Sequence, residues 1–197
     1  MSENRLRVLA VIGSLHRESV TRSVICHIAG KLEAAGCLVD IVDFEREPLP
    51  LFNPDTAYAA PAFPALKKRV DEADVLLLGT PDYHGSMSSA MKSFLDHFWR
   101  EFSGKLFATV VASPEKGLTV TDQLRTVARQ CYAWSLPYGM AFSENVDWKE
   151  GVCVGEMFGK RLDMFVRDIA VYGQLLANQR RADLAGTDPC FMAKYRV

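Results

Sequence analysis

Residues 6–36 read LRVLAVIGSLHRESVTRSVICHIAGKLEAAG, and this stretch decides the fold. Leu6–Ile12 is short, mostly apolar and closed by Gly13, the pattern of a strand buried on both faces. After a loop of small hydroxyl and basic residues, Ser19–Ala35 reads as a helix. Val20, Val24, Ile28 and Leu32 recur every fourth residue, and Gly36 closes it.

Outward from there the alternation continues. Leu38–Phe44 (LVDIVDF) reads as a second strand, and the proline-rich residues 47–64 have too little period for a regular element. Ala65–Asp71 reads as a short helix and Val75–Gly79 (VLLLG) as a third strand, stopped at Pro81. Ser86–Arg100 is predicted helical, with Met87, Met91, Phe94, Leu95 and Phe98 on one stripe. Lys105–Ala112 is a fourth strand, Thr121–Tyr132 a helix, and Leu136–Phe142 a fifth strand that Pro137 and Gly139 place near an edge. A last helix is predicted over 155–177, after which the apolar period ends and 178–197 reads as an irregular tail. This alternation predicts one α/β domain over residues 1–177. Its form is a three-layer sandwich on a five-stranded parallel sheet, order 2-1-3-4-5, with right-handed crossovers. Ligands of such sheets bind at the carboxyl ends of strands 1 and 3.

Composition narrows the function classes. The 197 residues carry 23 Lys+Arg against 24 Asp+Glu, a formal charge of −1, whereas a nucleic-acid binder concentrates basic residues. No apolar run is long enough to span a membrane, and the N-terminal stretch reads as a strand rather than a leader, so a cytoplasmic protein is expected. Cys26, Cys37, Cys131, Cys153 and Cys190 show neither CxxC nor metal-like spacing with histidine. They read as reduced structural thiols, and no metal site is expected. No Ser–His–Asp or Cys–His arrangement offers nucleophilic catalysis.

The loop after strand 1 combines Ser14, Ser19 and Thr21 with His16 and Arg17 at the mouth of a helix. Free N–H groups and a partial positive charge there suit a phosphate, with Arg17 adding a charge-assisted contact. The same residues also read as an ordinary helix start capped by Ser19, and both readings stand on these residues alone. The loop after strand 3 holds Pro81, Asp82, Tyr83, His84, Gly85 and Ser86. A turn of that composition offers backbone amides to the polar edge of a flat heterocycle, and Tyr83 to its face. Its plainer reading is a helix entry capped by Ser86.

Together the two loops resemble the NADPH-dependent FMN reductases, a flavodoxin-like family that includes quinone, azo-dye and chromate reductases. The family motif GSLRxxSxN is similar to Gly13, Ser14, Leu15 and Ser19, with Thr21 in the last place. The motif PEYNGSxxGxLKNxxD is similar to Pro81, Asp82, Tyr83, Gly85, Ser86, Lys92 and Asp96, and the resemblance extends to about Ala177. It implies that Ser14, His16, Arg17, Ser19 and Thr21 hold the FMN phosphate. It implies equally that Pro81, Asp82, Tyr83, His84, Gly85 and Ser86 line the isoalloxazine, with Ser113 in a third contacting loop. The chain departs from the pattern at His16 (often Arg), His84 (usually Asn) and Ser89 (often Gly). Ser113-Pro114-Glu115-Lys116-Gly117 also stands where relatives often carry Gly-Gly.

The chemistry so implied is hydride transfer from NADPH or NADH to bound FMN and on to a small acceptor: free flavin, a quinone, an azo compound or a metal oxyanion. The cofactor carries that reaction, so no catalytic side chain is demanded. A His84 donor near the reactive end of the ring would stabilise the reduced, anionic flavin. The resemblance also implies a homodimer or homotetramer, since relatives complete the flavin site from a partner chain. Two rivals stand beside it: an electron-transfer flavodoxin serving a redox partner, and a flavin-free interaction domain. The near-zero charge and the basic Arg17 and Arg22 count against the flavodoxin.

Overall fold

A strand that is apolar beyond its first residue must be covered on both faces, and β1 (Arg7–Ile12) is, from Val8 onward. In the computed structural model, which describes residues 5–187, Val8, Ala10 and Ile12 face one core, and Leu9 and Val11 face the other. The first core is closed by Val24, Ile25 and Ile28 of α1 (Val20–Ala34) and by Leu162, Phe165 and Ile169 of α5 (Glu156–Ala185). The second is closed by α2 (Phe63–Glu72), α3 (Ser89–Asp96) and α4 (Leu118–Gln130), through residues such as Val70, Phe94 and Leu124.

The strands β2 (Leu38–Asp43), β1, β3 (Val75–Tyr83) and β5 (Leu106–Ala112) run parallel and adjacent in that order. The next place is shared by β6 (Trp134–Ser135) and β7 (Met140–Phe142), both parallel to β5. The flavodoxin-like order read from the sequence therefore holds. Its fifth strand is broken in two where Pro137 and Gly139 intervene.

Other expectations need correction. β3 runs past Pro81 to Tyr83, because β1 has ended opposite Gly79 and the proline sits where one side of the strand is free. Residues 86–88 are not helical. Ser86–Met87 forms β4, antiparallel to Asp82–Tyr83, and the helix that follows is capped by Ser88 rather than Ser86. That helix ends at Asp96 instead of Arg100, although Met87, Met91, Phe94, Leu95 and Phe98 are all buried as the stripe implied. A small hairpin, β8 (Trp148–Lys149) with β9 (Val152–Cys153), fills the polar excursion before α5. Finally, α5 continues to Ala185, through the first part of the expected tail. Polar contacts rather than an apolar stripe hold that extension: Arg181 pairs with Asp74 at 2.6 Å and Arg180 donates to the Ser103 carbonyl. The rest of the tail, from residue 188, lies outside the described residues.

Candidate functional site

Three loops converge at the carboxyl ends of β1, β3 and β5. The first is set by Arg22. Its guanidinium forks onto Asp43 at the end of β2, at 2.6 and 3.1 Å, and donates to the carbonyls of His16 and Arg17 at 3.0 and 2.8 Å. The hydrogen bond to Asp43, chiefly, raises the Arg22 pKa and fixes its charge. Arg22 is thus used up in bracing the loop from inside, while Arg17 and His16 stay exposed on its rim. Ser19 is the N-cap of α1, accepting from the Arg22 amide at 3.1 Å, and the buried Ser14 accepts from the His16 amide at 3.3 Å. In both, the hydroxyl acts as acceptor and keeps its own hydrogen to donate. Among the described residues, the amides of Leu15, Arg17, Glu18 and Ser19 meet no partner, and neither does the Thr21 hydroxyl.

The second loop is a hairpin. His84 and Gly85 lie at φ 57° and 78°, the left-handed pair that a tight two-residue turn demands. Asn-Gly is the favoured pair there, and histidine is among the few other residues that tolerate the conformation. Asp82 holds the turn from both sides: one carboxylate oxygen accepts from the Gly85 amide and the other from the Ser113 hydroxyl, each at 2.8 Å. A Cβ placed on Gly85 would meet nothing within 4 Å, so the turn's backbone faces open space. Tyr83 is half exposed, at 53%. Ser113 spends its hydrogen on Asp82 and accepts from the Glu115 amide, so it joins the second loop to the third.

Sequence reading missed the groups that hold these loops together. Ser88 donates to the Gly13 carbonyl at 2.5 Å and caps α3, tying the first loop to the second. Gln123 of α4 accepts from the Ser86 hydroxyl and the Met87 amide and donates to the Gly85 carbonyl, at 3.0, 3.4 and 3.2 Å. Nothing in a lone glutamine beside a helix stripe announces that role. Arg22 and Asp43 are 21 residues apart, and only the adjacency of β1 and β2 brings them together.

The geometry fits a phosphorylated planar cofactor. Partnerless amides, a rim cation and donor hydroxyls meet at one helix start, beside a glycine turn open to solvent. The model of the NADPH-dependent FMN reductase family matches residues 6–147, which include all three loops. The chain belongs to that family. Among its relatives, an FMN-dependent NADPH-azoreductase of Staphylococcus haemolyticus is 31% identical over 99 residues, 47% of this chain and 52% of its own length. An NADPH azoreductase of Bacillus sp. is 29% identical over 136 residues, 67% of this chain and 74% of its own. The chain thus spans about half the length of the first of these relatives. The NAD(P)H:(acceptor) oxidoreductase FerB of Paracoccus denitrificans shares the fold, with TM-score 0.70 and 21% identity over 86% of this chain and 97% of its own. An archaeal flavodoxin does so at TM-score 0.58 and 12% identity, over 86% of this chain and 99% of its own.

Proposed function

We propose that this chain is an NAD(P)H-dependent reductase that holds FMN across the ends of β1, β3 and β5 and serves a small acceptor. The observation that carries this reading is the row of partnerless amides at the start of α1, set beside the open His84–Gly85 turn. Ser14, Ser19 and Thr21 donate hydroxyl hydrogens to the FMN phosphate, and Arg17, with His16, supplies the rim charge. Arg22 keeps that loop in shape without touching the anion. Pro81, Asp82, Tyr83, His84, Gly85 and Ser86 line the ring, with the His84 amide and imidazole as donors on its polar edge. Ser113 acts through Asp82, which it orients. When bound, FMN takes reducing equivalents from the dinucleotide and passes them on.

The names of the relatives suggest the acceptor class: azo compounds and quinones, flat conjugated molecules that can lie on an open ring face. A homodimer or homotetramer belongs to the same reading, and Met164, Val171 and Leu175 of α5 give it exposed apolar surface to bury. No helix among the described residues is long and apolar enough to cross a membrane. The test is steady-state oxidation of NADPH by FMN-loaded protein with a benzoquinone, an azo dye or excess FMN as acceptor. Acceptor-dependent turnover supports the reading. FMN binding without turnover on any of the three would instead favour an electron carrier for a protein partner.

A further inference from the structure

The start of α1 is held from outside its own loop as well as from within. One turn past the Ser19 cap stands Ser23, whose amide donates to the Ser19 carbonyl at 3.1 Å. The Ser23 hydroxyl accepts from the indole N–H of Trp148 at 3.0 Å, a contact that spans 125 residues of chain. Trp148 is 1% exposed and belongs to the first core, where its ring meets His27 of α1 edge-on at 5.1 Å between centroids. A buried tryptophan must find an acceptor for its N–H, and this one finds it on the helix that carries the phosphate candidates.

Residues 143–155 form a tight frame around that tryptophan. The Asp147 carboxylate accepts from the Ser143 amide at 2.9 Å, and its carbonyl accepts from the Val154 and Gly155 amides at 2.9 and 3.1 Å. Gly155 is pressed against it, since a Cβ there would come within 2.7 Å of the carboxylate. Glu150 and Gly151, at φ 49° and 82°, close β8 onto β9 in a two-residue turn, and Gly151 lies against the Ser23 hydroxyl. The frame begins where β7 ends, and there the Phe142 carbonyl accepts from the Ser113 amide of the third loop at 2.9 Å. It therefore runs from the loop beside the ring candidates to the helix beside the phosphate candidates. Between hairpin and first loop lies a cleft of about 410 Å³, with Arg17, Ser19 and Arg22 on one side and Glu144, Trp148 and Glu150 on the other. Trp148 stands one residue past the segment matched by the family, residues 6–147.

Anion binding at a helix start depends on where its N–H groups point, and a hydrogen bond weakens steeply as its angle closes. Val24, Ile25 and Ile28 seat the body of α1 on the sheet. Its first turn has two polar supports besides: the Arg22 fork onto Asp43 and the Trp148 bond to Ser23. We propose that Trp148 is a positioning residue for the FMN phosphate, which holds Ser23 and so fixes the direction of the amides and hydroxyls at the start of α1. This rests on the reading of that helix start as the phosphate site. It predicts that Trp148 governs the preference for FMN over riboflavin, which has the same ring without the phosphate.

The test is fluorescence titration of the flavin-free protein with FMN and, separately, with riboflavin, on the parent, Trp148→Phe, Ser23→Ala and Ser23→Thr, with a thermal melt of each. Trp148→Phe and Ser23→Ala each remove the one hydrogen bond, so FMN affinity should fall roughly 3- to 10-fold while riboflavin affinity stays within about twofold. Ser23→Thr keeps the acceptor and should bind FMN like the parent. Ser23 is only partly buried, so its alanine variant carries the test even where the indole proves necessary for folding. A merely structural Trp148 would lower the melting point and leave the FMN-to-riboflavin preference where it was. That preference, unchanged in both Trp148→Phe and Ser23→Ala, would overturn the proposal and leave the phosphate site standing. A parent that binds both flavins equally well would defeat the phosphate reading itself, and the proposal with it.

Discussion

Replacing Gln123 with alanine removes three hydrogen bonds from the hairpin that carries the candidate ring contacts, those to Ser86, Met87 and Gly85. Each such bond is worth about 0.5–1.5 kcal/mol net. Two of the three exceed 3.1 Å and the side chain is half-buried, so the set should contribute about 1–3 kcal/mol. The loss falls on the order of one hairpin rather than on the core. FMN affinity should then drop roughly 5- to 100-fold. Without flavin the melting point should fall by only about 2–4 °C per kcal/mol actually lost from global stability. Gln123→Glu keeps the acceptor for Ser86 and Met87 but not the donor to Gly85, so its affinity should lie between parent and alanine. The assay is titration of FMN fluorescence quenching on all three proteins, with thermal melts of the flavin-free forms. An alanine variant that melts lower yet binds FMN like the parent would refute the argument, because Gln123 would then only stabilise the fold.

Three further outcomes follow from the same structure. Arg17→Ala removes an exposed cation that pairs with no carboxylate among the described residues, so FMN affinity should fall roughly 10- to 100-fold with stability unchanged. Arg22→Met, by contrast, leaves the buried Asp43 only the exposed Arg46, 3.6 Å away, and the Glu45 amide, so denaturant melts should show a stability loss below the about 3–5 kcal/mol of a fully unpaired buried charge. Gly85→Val meets no clash in the protein, so its stability loss should be limited to about 1–2 kcal/mol of left-handed strain, while FMN binding is largely lost, as paired melts and titrations would show. Burial lowers the Lys105 pKa to about 7 from an ordinary 10.5. Between those values the folded chain has released a proton that the unfolded chain keeps, so stability should rise with pH from about 7 to about 10.5. Lys105→Met should lose that rise, as urea melts at a series of pH values would show.

How much of this was legible in the sequence depended on how local the cause was. Buried strands declare themselves by composition, so β1, β3 and β5 and their order could be read directly. The Ser19 cap is equally local, resting on its own hydroxyl and an amide three residues on. The turn after β3 is legible in Pro81 and Gly85, but Ser86–Met87 reads as a helix start because Ser86 has the chemistry of a cap, as Ser88 two residues on also does. The choice among them is made by the Thr80 hydroxyl and the Gly13 carbonyl, which both engage Ser88. The extension of α5 to Ala185 likewise depends on a distant partner, Asp74, which no periodicity reveals. In the candidate site, the residues proposed to meet the cofactor lie on loops that are each contiguous in sequence. Those that brace the loops, Arg22 with Asp43, Ser88 and Gln123, act across elements and became visible only once the sheet had assembled.

The central claim is that the crevice at the ends of β1, β3 and β5 holds one FMN that a reduced nicotinamide dinucleotide can reach. The most direct measurement is an anaerobic titration: FMN added to the flavin-free protein until fluorescence quenching saturates, then one equivalent of NADPH, with the flavin absorbance followed in time. Saturation at one FMN per chain and rapid bleaching by NADPH, both weakened by Arg17→Ala, are the expected result. FMN that stays fluorescent in the presence of the protein, or bound FMN that NADPH leaves oxidised, would contradict it.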